Sequence, residues 1–278
     1  GLRTPEIATT LGGDLWVEDQ GFTWRLMDGL SGDCHDYLKS PAQSESAGRL
    51  LASFHAALAG LEHEFANPRL GVHDTPRHLA TLSRALEAHR SHKDYGVIAP
   101  IGKTILARAD ALPPLPATPD RVVHGDPKIN NIIFADRGDE ALCLIDLDTL
   151  GPMPLPLELG DAFRSWCNPG SEDTTETSFS LELFAAAVRG YAATTRGYVE
   201  ADEWRAIVPA TLTILVELAA RFCADALNEA YFGWDAERFA SRSEHNRVRA
   251  EGQLSEFDSL LAQREAAEAA VAEAFAGR

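Results

Sequence analysis

The chain has 278 residues, 45% of them hydrophobic, and a formal net charge of −17 at pH 7. That is enough apolar material for one large or two small domains with a sizeable core. It is too acidic for a nucleic-acid or anionic-membrane binder, which needs a basic face; the absence of C-x-x-C pairs or zinc-spaced His/Cys clusters around Cys34, Cys143, Cys167 and Cys223 points to a reducing compartment.

In chain order, Leu15–Glu18 and Phe22–Met27 read as two strands of a hairpin turning at Asp19-Gln20-Gly21, with Asp28–Gly32 as a linker. From about Ser44 the periodicity is helical, with Leu50, Leu51, Phe54, Leu58 and Leu61 on one face. Further helices are predicted over Arg77–His89 and Gly102–Leu112, followed by a stiff proline-rich connector at 113–119. Short strands follow at Arg121–His124, Asn131–Phe134 and Ala141–Ile145, then helices over Glu158–Trp166, Ser180–Tyr191, Asp202–Tyr231 and Glu244–Phe275, the last with a fraying Ala/Glu-rich end. The most apolar stretch, Val208–Leu227, carries Glu217, Arg221 and Asp225, which makes it a poor membrane span. No charged-then-apolar leader pattern opens the chain, so a soluble, cytoplasmic protein is expected. Of the tryptophans, Trp16, Trp24, Trp166, Trp204 and Trp234 are expected in the core or at a contact between lobes, with Trp166 nearest the cleft. His55 is expected to pack in a helix, and His73 and His78 show no ligand spacing.

The run His124-Gly125-Asp126-Pro127-Lys128-Ile129-Asn130-Asn131, with Asp146 ending the apolar segment Ala141–Ile145, has the parts of a metal-assisted phosphoryl-transfer site. Asp126 is positioned to take the proton of an attacking hydroxyl. The Asn131 side-chain oxygen and the Asp146 carboxylate suit Mg²⁺, a hard cation that prefers oxygen ligands. Lys128 can neutralise charge on the transferred phosphoryl group, and His124 can hold the loop through backbone hydrogen bonds. Asp148 lies two residues beyond Asp146, so in an extended segment both carboxylates share a face, which makes Asp148 a candidate second metal ligand or a group that orients the first. Each residue alone is ordinary turn chemistry; their joint spacing between three short strands is not.

This block resembles the aminoglycoside phosphotransferase-like branch of the protein-kinase-like fold, whose catalytic loop reads H-G-D-x-x-x-x-N and whose metal strand reads I-D. HGDPKINNIIF, CLIDLDTLGPMP and ELGDAFR are most similar to the N-acetylhexosamine 1-kinase group, and the likeness runs from about Arg3 to Gln263. It implies an α+β, protein-kinase-like fold: residues 1–30 as a partial N-terminal lobe (a β-hairpin only) plus hinge, and 31–278 as a mostly helical large lobe. The large lobe would hold the catalytic region at 121–149 and the acceptor-site helices at 158–275. It further implies ATP as co-substrate, its adenine meeting the backbone of the hinge at Arg25, Met27, Asp28 and Leu30, and Asp161 as the structural aspartate bracing the catalytic loop, with Arg164 beside it.

The family pattern also includes a glycine-rich loop and a strand lysine paired with a helix glutamate. Before Asp14 the sequence has Gly1, Gly12 and Gly13 but no G-x-G-x-x-G and no lysine. The chain as written is therefore expected to be a weak or inactive kinase, since one lost charge-stabilising donor costs on the order of 3 kcal/mol of barrier.

Glu217, Arg221 and Asp225 recur at four-residue spacing on an apolar helix, so they form either an internal salt-bridge ladder or the wall of a polar cavity. With the resemblance, Arg221, Asp225 and Tyr231 are expected to meet a sugar or amino-sugar acceptor. An aminoglycoside or choline-type kinase and a non-catalytic sugar-binding pseudokinase remain alternatives, with a metal-dependent hydrolase more distant. A homodimer is compatible with the sequence.

Overall fold

The computed structural model describes residues 2–66, 71–195 and 197–276. At the N-terminus, β1 (Ile7–Ala8) pairs antiparallel with β4 (Leu26–Met27), and β2 (Val17–Asp19) pairs with β3 (Phe22–Trp24). The expected hairpin forms, but its turn is the two-residue Gln20-Gly21, both at positive φ (51° and 80°), as a tight hairpin turn requires. Its second strand stops at Trp24, because Leu26 and Met27 pair back to Ala8 and Ile7. Trp16 and Trp24 lie on the surface (54% and 58% exposed), contrary to expectation, whereas Trp166 is fully buried.

The chain then forms β5 (Asp33–Cys34), which joins β7 (Ile132–Phe134) and β8 (Ala141–Leu144) in a three-stranded antiparallel sheet. A second ribbon pairs β6 (Asp120–Val123) with β9 (Gly151–Pro154). β9 is invisible to strand patterns because it contains Pro152 and Pro154, which are tolerated only where no ladder N–H is needed, as on this two-stranded edge.

Around these strands pack α1 (Pro41–Leu58), α2 (Thr75–Ala88), α3 (Tyr95–Asp110), α4 (Leu155–Trp166), α5 (Leu181–Thr194), α6 (Ala201–Arg205), α7 (Ile207–Asn228), α8 (Arg242–Ala262) and α9 (Arg264–Ala276). Ser40, Asp74, Ser180 and Ser241 cap α1, α2, α5 and α8, each accepting a backbone N–H three residues on. α7 is long and apolar enough to cross a membrane, yet it is the central helix of the core, enclosed by α2, α3, α4 and α8.

Two predicted long helices are broken. The one expected over Asp202–Tyr231 divides at Ala206, because Pro209 has no N–H for the Arg205 carbonyl and its ring crowds that turn. The one expected over Glu244–Phe275 divides at Gln263, whose side-chain amide turns away to donate to the Phe179 and Ser259 carbonyls (3.0 and 3.1 Å). α9 is held by Ala267, Val271 and Phe275, buried at four-residue spacing, an apolar stripe where fraying was expected.

Candidate active site

The loop after β6 is fixed from several directions. His124 is fully buried; its Nε2 donates to the Ile145 carbonyl (2.8 Å), and its Nδ1 accepts the Asp126 N–H (3.3 Å). That pairing sets the tautomer, with the proton on Nε2. Gly125 has φ +84°, and a Cβ there would collide with the Thr149 carbonyl, so only glycine allows the loop to lie against the β8–β9 turn. The Ile145 N–H in turn donates to the Asn131 carbonyl (2.9 Å). The loop after β6 and the end of β8 are thus tied together by one side-chain and one backbone bond, which bring Asp126, Asn131 and Asp146 to one region.

Within it, Lys128 Nζ lies 2.9 Å from Asp126 Oδ2. The Asn131 amide nitrogen donates to the Asp126 carbonyl (2.8 Å) and to its Oδ2 (3.3 Å); among the described residues the Asn131 amide oxygen and Asp126 Oδ1 have no hydrogen-bond partner. Asp146 is exposed and adopts a left-handed conformation (φ 64°, ψ 52°). Such backbone costs a non-glycine residue on the order of 1 kcal/mol, and aspartate tolerates it better than most.

Asp148 departs from expectation. Leu147–Thr149 is a turn of 3₁₀ helix rather than an extended segment, and Asp148 is paired with Arg25 at 2.6 Å. It is therefore not the free second carboxylate that strand geometry predicted. Among the described residues no group of three or more His, Cys, Asp or Glu side chains could hold a metal ion. Asp146 and the Asn131 oxygen nevertheless fit the sparse oxygen set that Mg²⁺ uses when nucleotide phosphates complete its shell.

The expected hinge is also differently engaged. Met27 pairs with Ile7. Asp28 donates its N–H to the Glu6 carbonyl (3.0 Å) and accepts the Glu6 N–H on its carboxylate (2.5 Å), so the Asp28 amide is not free for adenine. Leu30 is half-buried in the linker, and Arg25 reaches the metal-strand turn instead.

The brace of the catalytic loop is Glu158, not Asp161. Glu158 is fully buried on α4 and accepts the N–H groups of His124 and Gly125, both at 3.0 Å. Behind it stands His55, with Nε2 3.4 Å from Glu158 and Nδ1 2.8 Å from the Tyr191 hydroxyl. α4 supports the loop twice more, through Ser165 Oγ accepting the Ile129 N–H (3.0 Å) and Trp166 Nε1 donating to the Pro127 carbonyl (2.8 Å). Asp161 pairs with Arg164 at 3.0 Å instead. Burial would push the Asp161 carboxyl up, but Arg164, with His73 and Arg221, outweighs it and holds the carboxyl below its ordinary range. Glu158 was detectable only as a lone charge in the apolar run before Asp161.

Asp126, Lys128 and Asp161 open onto a cavity of about 930 Å³ between the loop, α2, α4 and α7. Glu217, Arg221 and Asp225 form no ladder. Glu217 is fully buried and holds His73 Nδ1 (2.9 Å) and Thr75 Oγ1 (2.6 Å). Both oxygens of Asp225 are filled by the N–H groups of Ala230, Tyr231 and Phe232 and by the Asn246 amide (2.8–3.0 Å). This corrects the expected acceptor role of Asp225: all four of its lone-pair positions close the turn after α7. Arg221 lines the cavity with its guanidinium 5.6 Å from the Phe232 ring, and Tyr231 sits exposed at the rim. His73 and His78, which spacing did not single out, both line the cavity.

The fold is shared with an aminoglycoside phosphotransferase from Alicyclobacillus acidocaldarius (17% identity, TM-score 0.53, covering 97% of this chain and 76% of that one). It is also shared with choline kinase from Cryptosporidium parvum (11%, 0.56, 94% and 75%), and with amicoumacin kinase in complex with AMP-PNP, Ca²⁺ and Ami (13%, 0.54, 90% and 72%). At such identities the likeness is one of fold. Residues 2–204, which include the catalytic loop, Asp146 and α4, match the model of the phosphotransferase enzyme family, and the chain belongs to that family.

Proposed function

We propose that this phosphotransferase moves the γ-phosphate of ATP, with Mg²⁺, to a hydroxyl of a sugar-like acceptor held in the cavity beneath the catalytic loop. The observation behind this reading is that the His124–Ile145 and Ile145–Asn131 bonds tie the segment carrying Asp146 to the loop carrying Asp126 and Asn131, while Asp126 and Lys128 line a polar cavity. In this reading Asp126 Oδ1 orients the acceptor hydroxyl and takes its proton as the oxygen attacks phosphorus. Asn131 steers the Asp126 carboxylate, and Lys128 offsets charge on the phosphoryl oxygens. The Asn131 oxygen and Asp146 would hold Mg²⁺, which neutralises phosphate charge when bound. Glu158 keeps the loop in register with α4 and is a positioning residue.

The sugar assignment is supported by the wording of HGDPKINNIIF and ELGDAFR and by the arginine in the wall, with Tyr231 at the rim. Polycationic aminoglycosides and choline instead call for unneutralised carboxylates or an aromatic box. The test is ³¹P NMR of the protein expressed from its own gene with ATP and Mg²⁺, offering N-acetylhexosamines, hexoses, choline and an aminoglycoside in parallel. A sugar phosphate as the main product is expected; turnover of choline or aminoglycoside alone would overturn the sugar assignment. Sugar binding with no ATP binding would indicate the pseudokinase.

A further inference from the structure

The charge balance inside the cavity is opposite to that of the molecule. The chain carries a net −17, yet five arginine or lysine side chains line the cavity against four carboxylates, Asp126, Asp161, Glu172 and Asp225. Each of those carboxylates is already engaged: Asp126 with Lys128, Asp161 and Glu172 with Arg164, and Asp225 with four donors of the turn. Arg249 is bound to Asp173 (2.8 Å), and Arg77 to the Gly71 carbonyl (2.6 Å). Among the described residues Arg221 has no hydrogen bond or ion pair, only the Phe232 ring. A half-buried guanidinium with five donors and no acceptor is an open site for a planar oxyanion.

Beside it, His73 supplies a second donor in its doubly protonated form. The Glu217 carboxylate can only accept, so His73 Nδ1 must carry a proton where it meets Glu217 at 2.9 Å. His73 Nε2 is left for the cavity that His73 lines, and it donates there when the ring carries both protons, the form that the buried Glu217 carboxylate favours. Glu217 is spent on His73 and Thr75 and cannot hold a ligand cation. The groups facing His73 are Glu217 and Arg221 from α7 and Asp161 from α4; burial would lower its pKa, but the Glu217 hydrogen bond and these carboxylates raise it.

We propose that Arg221 and His73 form an oxyanion subsite, and that the acceptor is a hydroxyl compound carrying a carboxylate, such as a sugar acid, rather than an amine. This rests on the reading that the cavity is the acceptor site. The carboxylate would sit at the α7 wall while the reacting hydroxyl meets Asp126.

Isothermal titration of the protein without nucleotide tests it, using glucuronate, glucose, N-acetylglucosamine and glucosamine as matched probes. Glucuronate is expected to bind at least ten-fold more tightly than glucose, and glucosamine most weakly. Arg221→Met should erase that preference, leaving glucuronate binding no more than about two-fold tighter than glucose in the same variant. Should Arg221→Met fail to fold, Arg221→Lys retains the charge without the two-pronged fork and should keep only part of the preference. Tighter binding of N-acetylglucosamine or glucosamine, or a preference unchanged in both variants, overturns the subsite. If none of the four sugars binds, formate is titrated against the His73 ring resonances. A saturable shift that Arg221→Met or Arg221→Lys abolishes or weakens upholds the subsite while the sugar assignment falls; its absence overturns both.

Discussion

Replacing Glu158 by glutamine keeps the size of the side chain and removes its charge, which isolates the brace beneath the catalytic loop. The carboxylate accepts two buried backbone N–H groups, of His124 and Gly125, at 3.0 Å each. Hydrogen bonds to an ionised partner contribute about 1.5–3 kcal/mol. Glutamine retains one oxygen for one N–H and turns an NH₂ towards the other, so one bond is lost, one weakens, and a buried donor is left facing a donor. The expected cost is about 2–4 kcal/mol, or roughly 5–15 °C in midpoint for a domain of this size. Because Asp126 directly follows Gly125, a shift of about 1 Å in the loop would lower kcat on the order of 10²-fold. Urea titration followed by circular dichroism, with the slope unchanged, gives the stability loss, and steady-state assays give kcat. Destabilisation under about 0.5 kcal/mol with unaltered kcat would refute the brace, since a surface substitution does no more than that.

Asp126→Asn should lower kcat by about 10²–10⁴-fold with little change in melting temperature, since its ion pair with Lys128 is partly exposed (27% and 37%) and such pairs contribute little; kinetics alongside thermal unfolding separates the two effects. Asp146→Gly should leave stability unchanged or raised by up to about 1 kcal/mol by relieving the left-handed backbone, while activity falls, and calorimetry with an activity assay checks both. Gly160→Ala places a methyl 2.9–3.0 Å from the backbone of Ala210 and Thr211, where α4 meets α7, and should destabilise by about 1–3 kcal/mol in a urea titration. The lowered Asp161 carboxyl contributes stability that is present above the ordinary carboxylate pKa, about 3.9, and is lost as pH falls through its folded value. Asp161→Asn should therefore flatten the acid side of the stability–pH profile measured by chemical denaturation.

Elements whose periodicity and capping agree were legible in the sequence. α2, α4 and α5 stand within a few residues of their expected spans, and the strands flanking the catalytic loop form where the apolar runs placed them. What sequence could not resolve depended on contacts distant along the chain. β5 is two residues long and exists only because β7 pairs with it. The breaks at Ala206 and Gln263 come from a proline four residues after the last residue of α6 and from a side chain drawn to Phe179. Asp126, Asn131 and Asp146 could be picked out because they share one short stretch. Glu158, His73 and Glu217 could not, since their partners lie 33 to 144 residues away. The error over Asp148 has the same root: spacing of two implies a shared face only in a strand, and the chain turns there instead.

Asp126 as the base of a phosphoryl transfer to a hydroxyl is the centre of the proposed mechanism. The decisive measurement is the single-turnover rate of [γ-³²P]ATP transfer to a sugar or sugar-acid acceptor, with Mg²⁺ and acceptor saturating, for the native protein and Asp126→Asn. Labelled sugar phosphate is expected from the native protein, and a rate at least about 10²-fold lower in the variant, with acceptor affinity unchanged. Equal rates in the two proteins would contradict it.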